Sequence, residues 1–331
     1  MLVEEFLEPK IHIVSGKGGV GKTTVSAALA LVAARQSRRV CIAEVDRKSG
    51  VPSLFGGGAL RYEPSEIAPG VWGIGIAPED ALAEYLRVQY HIHRMSRVLT
   101  HSHFIDYITT AAPGLKDILV LGKVWYLEQG PARGGTRHRF DTIIVDAPAS
   151  GHMKTFLSAP AGLSDAVRVG PVRRQAEWIL AMLRDPRRTR VHVVTLAEEM
   201  PVAETLETSA AIRGPLRMTQ GVTFANAILE DVLGRSLERK LDELSASGDL
   251  EILVRSARDV GLQLDSEDLG ALTDYGRFLR SRRRIQSRYI KSLRRDSEAP
   301  VVELPFLFSP GLALPDVENL ADVIEERIAK L

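Results

Sequence analysis

The chain has 331 residues, long enough to bury a large core. Hydrophobic residues make up 45% and charged residues 26%, which excludes fibrous and disordered classes. Lys plus Arg number 43 against 42 Asp plus Glu, so the net charge of +1 names no partner, and nucleic-acid binding would need a local patch.

In chain order, the N-terminus lacks a basic region followed by an apolar stretch, so no signal peptide is expected. No window approaches the roughly 18 apolar residues of a membrane span, and the expected location is the cytoplasm. A strand at 11–14 is followed by an Ala-rich helix at 22–35. Further strands are expected at 39–45, 71–76, 142–145, 191–196, 221–225 and 300–304. Their alternation with helical patterns argues for an α/β fold with a doubly wound, mostly parallel sheet. The segment from about 79 to 139 breaks that rhythm. It reads as a helical subdomain inserted into a single domain spanning 1–331. A second helical stretch runs from about 236 to 295. The single cysteine, Cys41, lies in an apolar strand and reads as a small buried hydrophobe.

Between the first strand and the first long helix lies Gly16-Lys17-Gly18-Gly19-Val20-Gly21-Lys22-Thr23, followed by Thr24. It satisfies GxxxxGK[ST] in the strand–loop–helix context that the motif requires. Four glycines let the backbone wrap phosphate oxygens, and the helix N-terminus adds aligned N–H dipoles. Lys22 is expected to reach the β/γ-phosphates and the Thr23 hydroxyl to ligate Mg²⁺. Asp146 ends the run 140–146, where ligands gather in open α/β sheets. It is expected to hold magnesium through water. No NKxD guanine reader occurs, so ATP is favoured over GTP.

The second lysine of the loop, Lys17, resembles the signature lysine of deviant Walker A ATPases, which include the MinD, ParA, nitrogenase iron-protein and ArsA families. The run 146–152, Asp-Ala-Pro-Ala-Ser-Gly-His, is similar to the DTAPTGH switch of the ArsA and tail-anchored-protein-targeting ATPases, with Asp146, Gly151 and His152 in register. Its proline comes one position early, and Ser150 replaces a threonine. The segment 112–117 resembles the PGxxE segment of the family, and 198–205 its PExLSLxET segment. Asn226 matches the residue that reads the adenine edge, and Pro305 and Phe306 the segment flanking the base.

This resemblance spans nearly the whole chain and implies an ATPase that works as a homodimer or with a paralogous ATPase. Lys17 would then cross to the nucleotide of the partner subunit, and hydrolysis would switch the helical insertion to act on a protein client. Asp46, after the second strand, matches the aspartate that positions water, although Arg47-Lys48 replaces the usual Pro-Ala. The lone cysteine leaves no expected zinc, iron–sulfur or arsenite site. Two alternatives remain: an ATP-loaded scaffold or regulator with negligible hydrolysis, and a ParA- or MinD-like positioning ATPase.

Three further features favour plain structural readings. An apolar stripe from Tyr85 to Leu99 reads as packing on its own core rather than as a client surface. His91, His93, His101 and His103 read as an ordinary helical surface rather than a metal site. The basic residues between Arg280 and Arg295 read as the solvated back of a core-facing stripe, so nucleic acid and membrane surfaces are not expected partners.

Overall fold

Runs such as Val-Cys-Ile-Ala-Glu-Val have little polar surface to give to water, so they belong in a sheet covered on both faces. The computed structural model describes residues 1–45, 50–90, 114–130, 140–167, 169–230 and 251–331, with Arg239 and Glu243. The expected aspartate at Asp46, the basic Arg47-Lys48 pair, the histidine cluster and most of the apolar stripe lie outside those residues.

Eight strands form one sheet. They are β1 (Ile11–Gly16), β2 (Val40–Val45), β3 (Ser65–Ala68), β4 (Val71–Ile76), β5 (Thr142–Ala149), β6 (Thr189–Leu196), β7 (Gln220–Ile228) and β8 (Val301–Pro305). Their order is β3-β4-β2-β5-β1-β6-β7-β8. Every pairing is parallel except that of edge strand β3 with β4. The fold is therefore the expected doubly wound α/β type.

Two details differ from the sequence reading. Strand β3 had no counterpart in it, because four residues with an exposed or half-buried pattern leave little periodicity to find. Strand β5 runs to Ala149 instead of ending at Asp146. Its pairing with β1 shifts between Val14 and Gly16, and beyond that irregularity Gly16 pairs with Ala149. Asp146 thus sits inside the strand, opposite Val14 on one side and Glu44 on the other.

One face of the sheet is covered by α1 (Val3–Phe6), α2 (Lys22–Arg35) and α11 (Leu314–Ala329). Helix α2 reads as almost evenly apolar because it is buried nearly all round: Val25, Ala28, Leu29 and Val32 are fully enclosed. The opposite face carries α5 (Leu115–Gln129), α6 (Ser150–Ala166) and α7 (Pro171–Arg184), whose Val120, Val124, Phe156, Ile179 and Met182 meet Ile13, Ala43 and Val145 of the sheet. Helix α4 (Pro78–Tyr90) packs on α5 within the segment expected to be a helical insertion. Helices α8 (Glu199–Arg213) and α10 (Ser266–Asp296) pack on one another beside β7, where Val202, Ala225, Ile290 and Leu293 form a small third core. The short α3 (Gly50–Leu54) and α9 (Glu251–Asp259) complete the described helices. Among the described residues, no helix is long and apolar enough to cross a membrane.

Candidate nucleotide site

The loop 16–21 leaves the end of β1, doubles back and delivers Lys22 into the first turn of α2. Two glycines are required by contact as well as by conformation. A Cβ on Gly16 (φ 151°) would stand 2.1 Å from the Val194 carbonyl oxygen. At Gly21, in the left-handed region at φ 91°, it would stand 2.3 Å from the Asn226 Nδ2. A Cβ on Gly18 or Gly19 would meet nothing within 4 Å, so this side of the loop is open.

Asn226, at the end of β7, donates from Nδ2 to the Val20 carbonyl at 2.9 Å. The residue expected to read a base therefore also pins the loop. Val20 itself is buried, which anchors the loop to the α2 face. Lys22 Nζ donates to the Lys17 carbonyl at 3.1 Å. The loop thus closes on itself through the lysine expected to reach phosphate.

Thr23 Oγ1 donates to Asp146 Oδ2 at 2.7 Å, and Ser26 Oγ donates to Asp146 Oδ1 at 3.1 Å. Thr23 and Ser26 lie one helical turn apart, so a single face of α2 supplies both hydroxyls. Burial raises the Asp146 pKa, opposed by these two hydrogen bonds and by Lys22; the nearby Glu44 carboxylate raises it further. Thr24, the next residue of α2, is buried. Ser26 was not anticipated, because nothing in the loop motif extends a full turn into the helix.

Glu44 was also unassigned. It is almost fully buried, and its Oε1 accepts the Gly50 and Val51 N–H groups at 2.7 and 3.2 Å. It satisfies donors at the start of α3, immediately after residues 46–49.

The segment after Asp146 makes two connections. Ser150 Oγ donates to Glu204 Oε2 at 3.2 Å, while Glu204 Oε1 accepts Lys17 Nζ at 2.7 Å. His152 Nε2 lies 3.0 Å from Asp117 Oδ1 on α5. Gly151 lies in the first turn of α6 between Ser150 and His152, where a Cβ would meet open space. Asp117 is nearly buried and His152 half-exposed, so the contact joins the end of β5 to the flank of the molecule.

Pro305 closes β8 opposite Ile228, and the Phe306 N–H donates to the Ile228 carbonyl at 2.9 Å. Phe306 and Phe308 meet edge-to-face at 4.8 Å, and both are exposed. Phe308 thereby joins the expected base-flanking Phe306; a lone aromatic in a loop carries no signal that would have singled it out. The chain brings Lys17, Lys22, Thr23, Asp146 and Asn226 to one end of the sheet, with Phe306 next to β7.

Residues 9–175 match the anion-transporting ATPase family. The ATPase BagA of Mycobacterium tuberculosis is 31% identical over 96% of this chain and 93% of its own length. An arsenical pump-driving ATPase of Escherichia coli is 26% identical over 73% of this chain, which spans only 45% of that protein. With the glycine cradle, the Lys22-Thr23 helix start and the Thr23–Asp146 contact all in place, the chain belongs to the anion-transporting ATPase family of P-loop proteins.

Proposed function

We propose that the chain binds ATP at this end of the sheet and hydrolyses it. The observation that carries this is the Thr23–Asp146 pair directly behind the Lys22 helix start, with open space beside Gly18 and Gly19. Backbone N–H groups of the loop and the Lys22 ammonium supply donors and positive charge for phosphate oxygens. Asn226, Pro305 and Phe306 are assigned to the base, a reading supported by the Asn226 bond to the loop at Val20.

The donor set also suits Mg²⁺. A hydroxyl and a buried carboxylate are hard oxygen donors, and the burial that raises the Asp146 pKa is relieved by a cation close to it. Held there, Mg²⁺ would supply positive charge against the phosphate oxygens. Thr23 and Asp146 would hold it, with Ser26 fixing the second carboxylate oxygen. Asp46 is assigned the orientation of the attacking water, and Lys17 a phosphate contact.

The functional unit proposed is a dimer of two such chains, or of this chain with a paralogue, with Lys17 reaching the nucleotide of the partner subunit. Hydrolysis would be felt by the flanking helices through His152 and Asp117. A protein client or partner is assigned to that flank, where Leu82, Ile118, Trp125 and Trp178 line a small apolar cleft.

Steady-state phosphate release by wild type, Lys22→Ala and Asp46→Asn tests the enzymatic reading. Lys22→Ala should lose activity by about 10²–10³-fold, the scale of removing one preorganised charge-stabilising donor. Asp46→Asn should bind nucleotide but turn over slowly. Wild-type turnover no faster than that of Lys22→Ala would reduce the chain to an ATP-loaded scaffold.

A further inference from the structure

Lys17 and Glu204 are 187 residues apart in sequence, yet the ammonium and carboxylate meet at 2.7 Å. Glu204 belongs to α8, which packs beside β6 and against α6. Both of its oxygens are engaged: Oε1 by Lys17, and Oε2 by the hydroxyl of Ser150 at 3.2 Å. Ser150 opens α6 directly after β5, four residues beyond Asp146. One carboxylate therefore ties the second lysine of the phosphate loop to the segment that follows the proposed magnesium ligand.

An ammonium has three donors, but its charge and its reach are shared between a carboxylate and a phosphate, so the two anions compete for Lys17. The Lys17 and Glu204 side chains are each about one-third exposed. A pair so solvated contributes little to stability and exchanges readily. A phosphate carries more charge than a carboxylate and outcompetes it. Lys17 also presents its carbonyl to Lys22, so both loop cations are engaged by internal acceptors.

We propose that Glu204 is a positioning residue that latches Lys17 within its own subunit, and that Ser150 couples release of this latch to movement of the segment after Asp146. The proposal rests on the nucleotide reading above and holds whichever subunit's phosphate Lys17 reaches. The latched fraction of molecules must open before Lys17 can engage phosphate, which lowers apparent affinity in proportion. Lys17 bonding also holds the Glu204 carboxyl below its ordinary range, which gives the latch a signature of its own.

The test is a double-mutant cycle on full-length protein with a fluorescent ATP analogue and Mg²⁺. Glu204→Gln should tighten binding and lower KM by about three- to fivefold, the span of an exposed ion pair, with kcat unchanged. Ser150→Ala should shift both in the same direction by less. Glu207→Gln makes the same charge change at an exposed site on α8 and should leave both constants unchanged. In a Lys17→Ala background the Glu204→Gln effect should vanish. An equal effect in both backgrounds, or equal effects of Glu204→Gln and Glu207→Gln, overturns the latch.

An NMR titration of the Glu204 carboxyl separates the latch from the ATPase reading. Its pKa should rise in Lys17→Ala without any nucleotide, and rise in wild type when Mg-ADP binds. An unchanged titration in Lys17→Ala overturns the latch and leaves the ATPase standing. Failure of wild type to bind any nucleotide overturns the ATPase reading, and the latch with it.

Discussion

Two lysine–glutamate pairs, one at the phosphate loop and one in the flank, use the same chemistry to opposite ends. Lys17 and Glu204 are each about one-third exposed. Lys123 and Glu84 are only 4% and 12% exposed at 2.8 Å, in the cleft between α4 and α5. The Tyr62 hydroxyl adds a 2.6 Å bond to Glu84, and the Lys123 Nζ lies 4.2 Å from the centre of the Tyr62 ring. Water can replace either partner of the first pair at small loss. It has little access to the second, so removing one partner strands a largely buried charge. Burial, rather than the pairing, decides which contact can serve as a switch and which is a fixed part of the flank.

The largest effect should therefore come from breaking the buried pair. Glu84→Ala or Lys123→Ala should lower unfolding free energy by about 3–5 kcal/mol, whereas Lys17→Ala should change it by less than about 1 kcal/mol. Urea denaturation of the three variants checks the contrast. Similar losses at both sites would remove the distinction drawn from burial.

Next comes pH. His12 and His192 are fully buried and stack beneath Phe6, with His12 Nδ1 3.0 Å from His192 Nε2. His192 Nδ1 accepts the Val222 N–H at 3.1 Å, so the proton sits on Nε2 and is donated to His12. Burial lowers both pKa values, that of His12 to about 4. Below the ordinary value near 6.5, the unfolded chain takes up protons that the folded chain refuses. Stability should then fall with pH by up to about 1.4 kcal/mol per unit for each imidazole. Denaturation at pH 7.5 and 5.5 measures this slope, and a His12→Gln/His192→Gln double variant should flatten it. These groups belong with the buried pair: titration there unfolds the sheet and does not open a site.

The smallest effect concerns Asp146, a buried carboxylate held by two hydroxyls. Burial raises its pKa, so above the ordinary carboxylate range its ionised form is destabilising. Asp146→Asn should raise the nucleotide-free melting temperature at pH 7 by about 2 °C. It should also abolish the further rise expected of wild type with Mg-ATP. A fall in melting temperature would mean that the Thr23 and Ser26 bonds outweigh burial.

How much of this was legible in sequence follows the same division. The loop 16–23 could be read directly because its function is local: glycines at fixed spacing, then a helix start. The positions of seven strands followed from apolar runs, and Asp146 from its place at the end of one such run. Ser26, Glu44 and Glu204 could not be assigned roles. Glu204 meets Lys17 only because α8 docks beside β6, and Glu44 acts on a helix that begins beyond residues 46–49. The His12–His192 pair was equally hidden, because β1 and β6 become neighbours only once the sheet has formed. Edge strand β3 is too short and too polar for periodicity, and the extension of β5 through Pro148 depends on the shifted pairing with β1.

A nucleotide at the loop should be felt on the flank through His152 and Asp117. Hydrogen exchange along α5, with and without a slowly hydrolysed ATP analogue and Mg²⁺, tests it most directly. Nucleotide should change protection across 115–129 in wild type, and Asp117→Ala should keep nucleotide affinity but lose the change. Tight binding in wild type with altered protection confined to 16–26 and 146–150 would contradict it.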